Sequence, residues 1–193
     1  DLEDTQEPSA EALIERARAV EGAALAVKGI TNSEGGGASF SRSAVALATS
    51  TGFYGRYAGT SHSIGVAVLA GTGTGMERDY DHASARHAGD LRAAEEIGRS
   101  AGEKAVKRLN PRSMPSQALP VVFHPDEAAG LLGHFAGAIS GAAIARGVSF
   151  LKERLGQPVF APGVRVMDDP HRRRGLRSKP FDGEGVANQR IAL

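Results

Sequence analysis

The 193-residue chain is 41% hydrophobic and carries 23 Lys plus Arg against 22 Asp plus Glu, a formal net charge of +1. That apolar content supports a real core, and the near-neutral balance supplies no global field toward nucleic acid or an anionic membrane. The absence of cysteine excludes disulfides, thiolate metal sites and a cysteine nucleophile within the chain, and suits a reducing compartment.

The acidic opening, DLEDTQEPSAE, has neither an initiator Met nor a charged-then-apolar targeting pattern, so a cytoplasmic chain excised from a longer protein is expected. Ser9 reads as an N-cap, followed by acids at Glu11 and Glu15 and by Leu13, Ile14, Ala17 and Val20 at helical spacing as far as Gly22. From Ala23 to Ile30 the pattern predicts a strand, and NSEGGG a tight reversal whose glycines supply positive φ. Phe40 to Thr49 and Ile64 to Val68 alternate as strands, and STGFYGRYAGT between them predicts a hairpin with a short middle strand, giving a three-stranded antiparallel meander. Gly71, Gly73 and Gly75 do not fit a dinucleotide fingerprint and predict a hairpin end. Asp90 to Leu109 predicts a second amphipathic helix with Ile97, Ala101, Ala105 and Leu109 inward. LPVVF, Leu119 to Phe123, predicts a short buried strand, SFLKERLG a short helix, and Gly163 to Met167 a further strand.

Ala128 to Ala145 contains no acid, Lys or Arg, and places Gly130, Gly133, Gly137 and Gly141 three and four residues apart, on one side of a helix. Each interior glycine costs a helix roughly 1 kcal/mol relative to alanine, so a close contact must offset the four of them. A membrane span shares this small-residue pattern. Here Ala and Gly supply little apolar area, His134 sits mid-segment and no second such segment exists, which favours a helix buried in a soluble protein. The expected class is α+β: an antiparallel meander packed with amphipathic helices, including this buried Gly/Ala-rich one. Residues 1–124 form the N-terminal part and 125–193 the glycine-rich helix and the start of a C-terminal region, or the two form one continuous domain.

Six histidines raise a metal reading, but no H-E-x-x-H pair occurs; His82 and His87 lack a neighbouring Glu, and His62, His124, His134 and His171 stand alone. MERDYDHASARH gathers Glu77, Asp79, Asp81 and two His, which could hold a hard cation; salt bridges to Arg78 and Arg86 are the simpler account. Ser61 and His62 are adjacent in a strand and so point to opposite faces, against a nucleophile pair. Arg172, Arg173, Arg174, Arg177 and Lys179 place five positive charges in eight residues. Such a run can neutralise phosphates, although Asp182 and Glu184 follow at once and favour local ion pairs.

Several long segments, ATSTGFYGRYAGTSHS, MERDYDHASARH, RLNPR, GLLGHFAGAISGAAIARGVSFL and RRRGLRSKPFDGEGV, together resemble the TldD/PmbA family, once called modulators of DNA gyrase and regarded as zinc-dependent peptidases built from two related subunits. The likeness spans the whole chain and is nearest to the PmbA (TldE) side. Family members are longer, which implies that this chain is a part. TldD-type subunits carry H-E-x-x-x-H on the corresponding helix; anchored on Arg146, Gly147 and Ser149, those three positions fall on Leu132, Gly133 and Gly137, and His134 lies in a slot the motif does not use. The resemblance therefore implies a non-catalytic subunit with no cofactor of its own, zinc residing in a TldD-like catalytic partner, and a peptide or unfolded-protein substrate. Gly130, Gly133, His134, Gly137 and Gly141 are the candidate close-packing or peptide-binding residues, a homodimer is an alternative assembly, and no membrane partner is expected. Two other readings stand beside it: a regulatory protein binding DNA gyrase or nucleic acid through the arginine run, and an active hydrolase whose groups converge from separate segments.

Overall fold

In a computed structural model that describes residues 1–193, helix α1 (Ala10–Leu25) starts where the sequence places it. Ser9 has extended backbone, and its hydroxyl accepts the Ala12 N–H at 3.2 Å. The helix continues past Gly22, so of the strand predicted from Ala23 to Ile30 only Ile30 is in a strand, and residues 23–29 are the end of the helix and a short connection. Burial decides this: Val20 and Ala24 lie on one helical face and are both fully buried.

The reversal predicted at NSEGGG is also replaced. Those residues lie inside β1 (Ile30–Ala48), which pairs antiparallel with β2 (Tyr54–Ala70). Register shifts fall between Ile30 and Asn32 and between Ser33 and Gly35, where Gly35 takes φ +108°. Gly36 serves a different end: a Cβ there would collide with the Ala17 carbonyl of α1 and come within 3.1 Å of Val20 Cγ1. The hairpin turns at Thr49–Phe53 with no short middle strand, because Tyr54 onward already belongs to β2. The third strand of the meander is β3 (Glu77–Ala85), joined through the glycine-rich hairpin end at Gly71–Gly75, and the strand order is β1-β2-β3.

Helix α2 (Ala94–Lys107) begins after the predicted Asp90, since Ala88–Asp90 form a 3₁₀ turn first. Its inward residues Ile97, Ala101 and Ala105 are fully buried against α1 and against Ile64, Val66, Val68 and Ala70 of β2. The two helices meet through glycine. A Cβ on Gly98 would stand 2.8 Å from Ala23 Cβ and 2.9 Å from the Ala24 amide, and one on Gly102 would stand 2.6 Å from Val27 Cγ2.

The chain divides into two units, Asp1–Arg112 with Val166–Leu193, and Ser113–Arg165. The first holds the sheet, α1, α2 and a two-residue ladder of β4 (Met167–Asp168) with β5 (Ile191–Ala192), which is all that forms of the strand predicted at Gly163 to Met167. In the second, LPVVF is not a buried strand. No strand pairs with it, and Val122 is 96% exposed. The glycine-rich segment is two helices, α3 (Pro125–Ala138) and α4 (Gly141–Ala145), separated where the Ser140 hydroxyl caps α4 by accepting the Ala143 N–H at 3.3 Å. The expectation that this segment is buried fails: only Phe135 and Ala138 of α3 are buried and none of α4. Too few side chains in this unit fold over the helices. SFLKERLG forms turns and no helix, following Gly147 at φ +68° and preceding Gly156 at φ +77°.

These contacts predict opposite signs for one substitution type. Gly98→Ala forces the helices apart and should destabilise the chain by about 1–3 kcal/mol. Gly133→Ala meets nothing within 4 Å and should raise stability or helicity by up to about 1 kcal/mol. Urea denaturation followed by far-UV circular dichroism separates the two.

Candidate functional site

Helix α3 is built to present its first turn. Pro125 occupies its start, the His124 ring accepts the Asp126 N–H at 3.3 Å, and Asp126 and Glu127 place negative charge at the positive end of the helix dipole. Beyond that turn the exposed residues include Gly130, Leu131, Leu132, Gly133, His134 and Gly137. Apart from the helix's own nearby backbone, nothing lies within 4 Å of a Cβ built on Gly130, Gly133, Gly137 or Gly141. The break at Ser140 also moves Gly141 onto a separate helix, so the four glycines do not share one face. Within the unit, α3 is anchored from its other side by Phe135, which meets Phe160 edge to face at 5.0 Å. Leu132, Gly133 and Gly137 offer no imidazole or carboxylate, so these positions cannot ligate zinc or polarise water.

The acids of MERDYDHASARH occupy β3, where alternation turns Glu77, Asp79 and Asp81 toward α2 and leaves Arg78, Tyr80 and His82 on the open side of the sheet. Their partners are not those the sequence suggested. Asp81 is bound by Arg92 at 2.7 Å and lies 3.8 Å from Lys104, while Arg108 reaches Asp79 at 3.1 Å and Glu77 at 3.9 Å. Arg78 pairs with Glu34 at 2.8 Å, and Arg86 binds main-chain carbonyls instead. Burial pushes the Asp81 carboxyl up, but hydrogen bonds from Arg92, from Ser100 and from the His82 N–H outweigh it and hold it below the usual carboxylate range. The row is therefore an ion-pair seam between strand and helix. No group of three or more His, Asp or Glu side chains in the structure is arranged to hold a metal ion.

Ser61 and His62 do lie on opposite faces of β2. His62 is 1% exposed, packs on Phe40 at 4.9 Å between ring centroids, and has its Nε2 3.2 Å from Asp4 Oδ2. Asp4 belongs to an N-terminal strap that no local signal in the sequence connects to β2. Its amide donates to Thr60 Oγ1 at 2.7 Å and its carboxylate accepts the Ala88 N–H at 2.9 Å. That bond and the Gln6 N–H hold the carboxyl below its ordinary value.

The arginine run is tied to the same end of the sheet. Arg86 donates to the carbonyls of Gly175, Thr60 and Leu176 at 3.3, 3.1 and 2.6 Å. Arg173 pairs with Asp1 at 2.7 Å, Arg174 with Asp90 at 2.9 Å, and Ser178 closes the loop on the Arg172 carbonyl at 2.8 Å. Phe181 then packs edge to face on Phe53 and Tyr57, at 5.1 and 5.3 Å.

Two family domains match the chain: residues 3–109 match one described as a PmbA/TldA metallopeptidase central domain, and residues 116–193 one described as a PmbA/TldA metallopeptidase C-terminal domain. The chain is 37% identical over 191 residues to the metalloprotease PmbA of Escherichia coli O157:H7, covering 98% of this chain and 42% of that protein. A crystal structure of a candidate modulator of DNA gyrase from Bacteroides thetaiotaomicron superposes with a TM-score of 0.92 at 25% identity, over 100% of this chain and 44% of that one. TldE from Thermococcus kodakarensis has the same fold, with a TM-score of 0.80 at 22% identity over 97% of this chain and 42% of that one. The chain thus spans less than half the length of these relatives.

The seam on β3 predicts an acid limb of stability. Because the Asp81 carboxyl is depressed in the folded state, its contribution is fully present above the ordinary carboxylate value near 4 and is lost as pH falls through the folded value. Asp81→Asn should cost about 1–3 kcal/mol at pH 7 and flatten the dependence of stability on pH below about 4, read by denaturation at a series of pH values.

Proposed function

The chain belongs to the PmbA/TldD metallopeptidase family, and we propose that within it the chain acts as a PmbA (TldE)-type, non-catalytic subunit of a two-subunit peptidase. The observation that carries this reading is the exposed face of α3. Leu132, Gly133 and Gly137 stand where the family's metal-binding positions are expected and have no group able to bind zinc. Apart from the helix's own nearby backbone, nothing lies within 4 Å of a Cβ built on Gly133 or Gly137, which supports a contact from outside these residues to offset their helix-propensity cost. We take that contact to come from a second chain. In this reading the neighbour is a TldD-like subunit that holds the zinc, and Gly133, His134 and Gly137 line the junction where an extended peptide or unfolded segment is enclosed.

No helix of the chain is long and apolar enough to cross a membrane; a cytoplasmic location is part of the proposed reading. The alternative, a gyrase or nucleic-acid binder, is weakened because Arg173 and Arg174 already neutralise Asp1 and Asp90. A phosphate-binding protein would lose affinity steeply as salt rises.

Metal content and cleavage of an unfolded protein, measured for this chain alone and then mixed with a TldD-like subunit from the same source, test the proposal. Stoichiometric zinc and chelator-sensitive activity are expected only in the mixture; their appearance in the chain alone overturns it. Gly133→Leu should weaken the pairing at least about tenfold without lowering the stability of the isolated chain, checked by sedimentation and thermal unfolding.

A further inference from the structure

Strand β3 ends at Ala85, opposite His62, so β2 from Ser61 back to Tyr54 has no neighbouring strand on that side. The main-chain groups of Thr60 point to this outer edge: its N–H donates to the Leu2 carbonyl at 3.0 Å and its carbonyl accepts from Arg86 at 3.1 Å. Residues two apart in a strand direct their N–H and C=O to the same side. Ala58 and Arg56 therefore present theirs to the same edge, and no hydrogen bond fills them. An unpaired row of this kind is a template for a further strand.

The chain's own N-terminus shows which chemistry the edge accepts. The strap DLED lies against Thr60 through one main-chain bond, and it sets Asp1 on Arg173, Glu3 on Arg42 and Asp4 on the Ala88 N–H. Next to it a groove of about 590 Å³ runs between Tyr57 and Ala58 of β2 and the basic loop, where Arg172 and Lys179 line it, the charge of Lys179 felt by the Asp182 carboxylate and that of Arg172 in no salt bridge. The loop's backbone is held by the Arg86 bonds to Gly175 and Leu176 and by Ser178 on the Arg172 carbonyl. The backbone that carries these cations is thus fixed before any ligand arrives, which lowers the ordering cost of binding.

We propose that this edge of β2 binds an extended acidic peptide as an added strand, its main chain on Arg56 and Ala58 and its carboxylates on Arg172 and Lys179. The inference goes beyond the subunit assignment and does not depend on it, because every group involved lies in one unit of this chain.

Fluorescence anisotropy of the full chain with a labelled, blocked Glu-Thr repeat peptide, run beside the matching Lys-Thr peptide, tests it. Saturable binding of the acidic peptide alone is expected, at least about tenfold weaker for R172E/K179E. It should weaken by a similar factor for Ala58→Pro, where the lost N–H faces away from β1 and edge proline is tolerated. A third arm changes only the probe: methylating alternate amides of the Glu-Thr peptide should abolish binding to the unaltered chain, and amide exchange at Arg56 and Ala58 should slow only with the unmethylated peptide. The proposal is overturned by absent binding, by equal affinity for the Lys-Thr peptide, by undiminished binding of the methylated peptide, or by tighter binding of a single-stranded oligonucleotide of the same length.

Discussion

Helix α1 sits close to backbone contact with two neighbours at once, and the first unit depends on that. On one side Gly36 of β1 lets the strand reach the Ala17 carbonyl, and on the other Gly98 and Gly102 let α2 reach the main chain at Ala24 and the side chain of Val27. With such short separations the space between elements is filled by Ala24, Ala101 and Ala105, with Val20, Val68 and Ile97 as the larger residues. Close packing of small groups gives many dispersion contacts per unit area and leaves little room for any added carbon. The seam on β3 follows from the same arrangement, because α2 is brought near enough for Arg92, Lys104 and Arg108 to reach the strand's inward acids.

A second constraint is polar and closes the far end of the sheet. Arg86 has no carboxylate partner, yet it gathers three carbonyls from two segments, at Thr60 and at Gly175–Leu176, that are 115 residues apart. Gly59 leaves room for it, since a Cβ there would lie 2.7 Å from the guanidinium. Planar, multiply donating guanidinium suits this task where a lysine would not. Its effect is to bring the opening strap and the arginine loop together, so that part of the loop's charge is spent internally and the remainder borders a groove.

The second unit, by contrast, has little to bury. Leu155 and Val122 are almost fully exposed, and Leu131 and Leu132 of α3 are about half exposed. Apolar area of this extent is the ordinary mark of surface that another chain or segment covers, consistent with the pairing proposed for α3.

Local signals were legible in the sequence. The Ser9 cap, the inward stripe of α2, the alternation of β1 and β2 and the turn at Gly71–Gly75 each depend on a few adjacent residues and a fixed period. What failed were inferences that need a partner: NSEGGG as a turn, LPVVF as a strand and the glycine-rich segment as a buried helix. Glycine can answer a positive φ or a close neighbour with the same residue type, and an apolar run becomes a strand only where another strand receives its hydrogen bonds. The sequence by itself determined the class of elements and the family, because those reside in residue identity and short spacing. Only the tertiary structure decided which cations meet Asp81, that Asp4 and Arg86 meet at Thr60, and which glycines are pressed against a neighbour, because these are contacts between segments tens of residues apart.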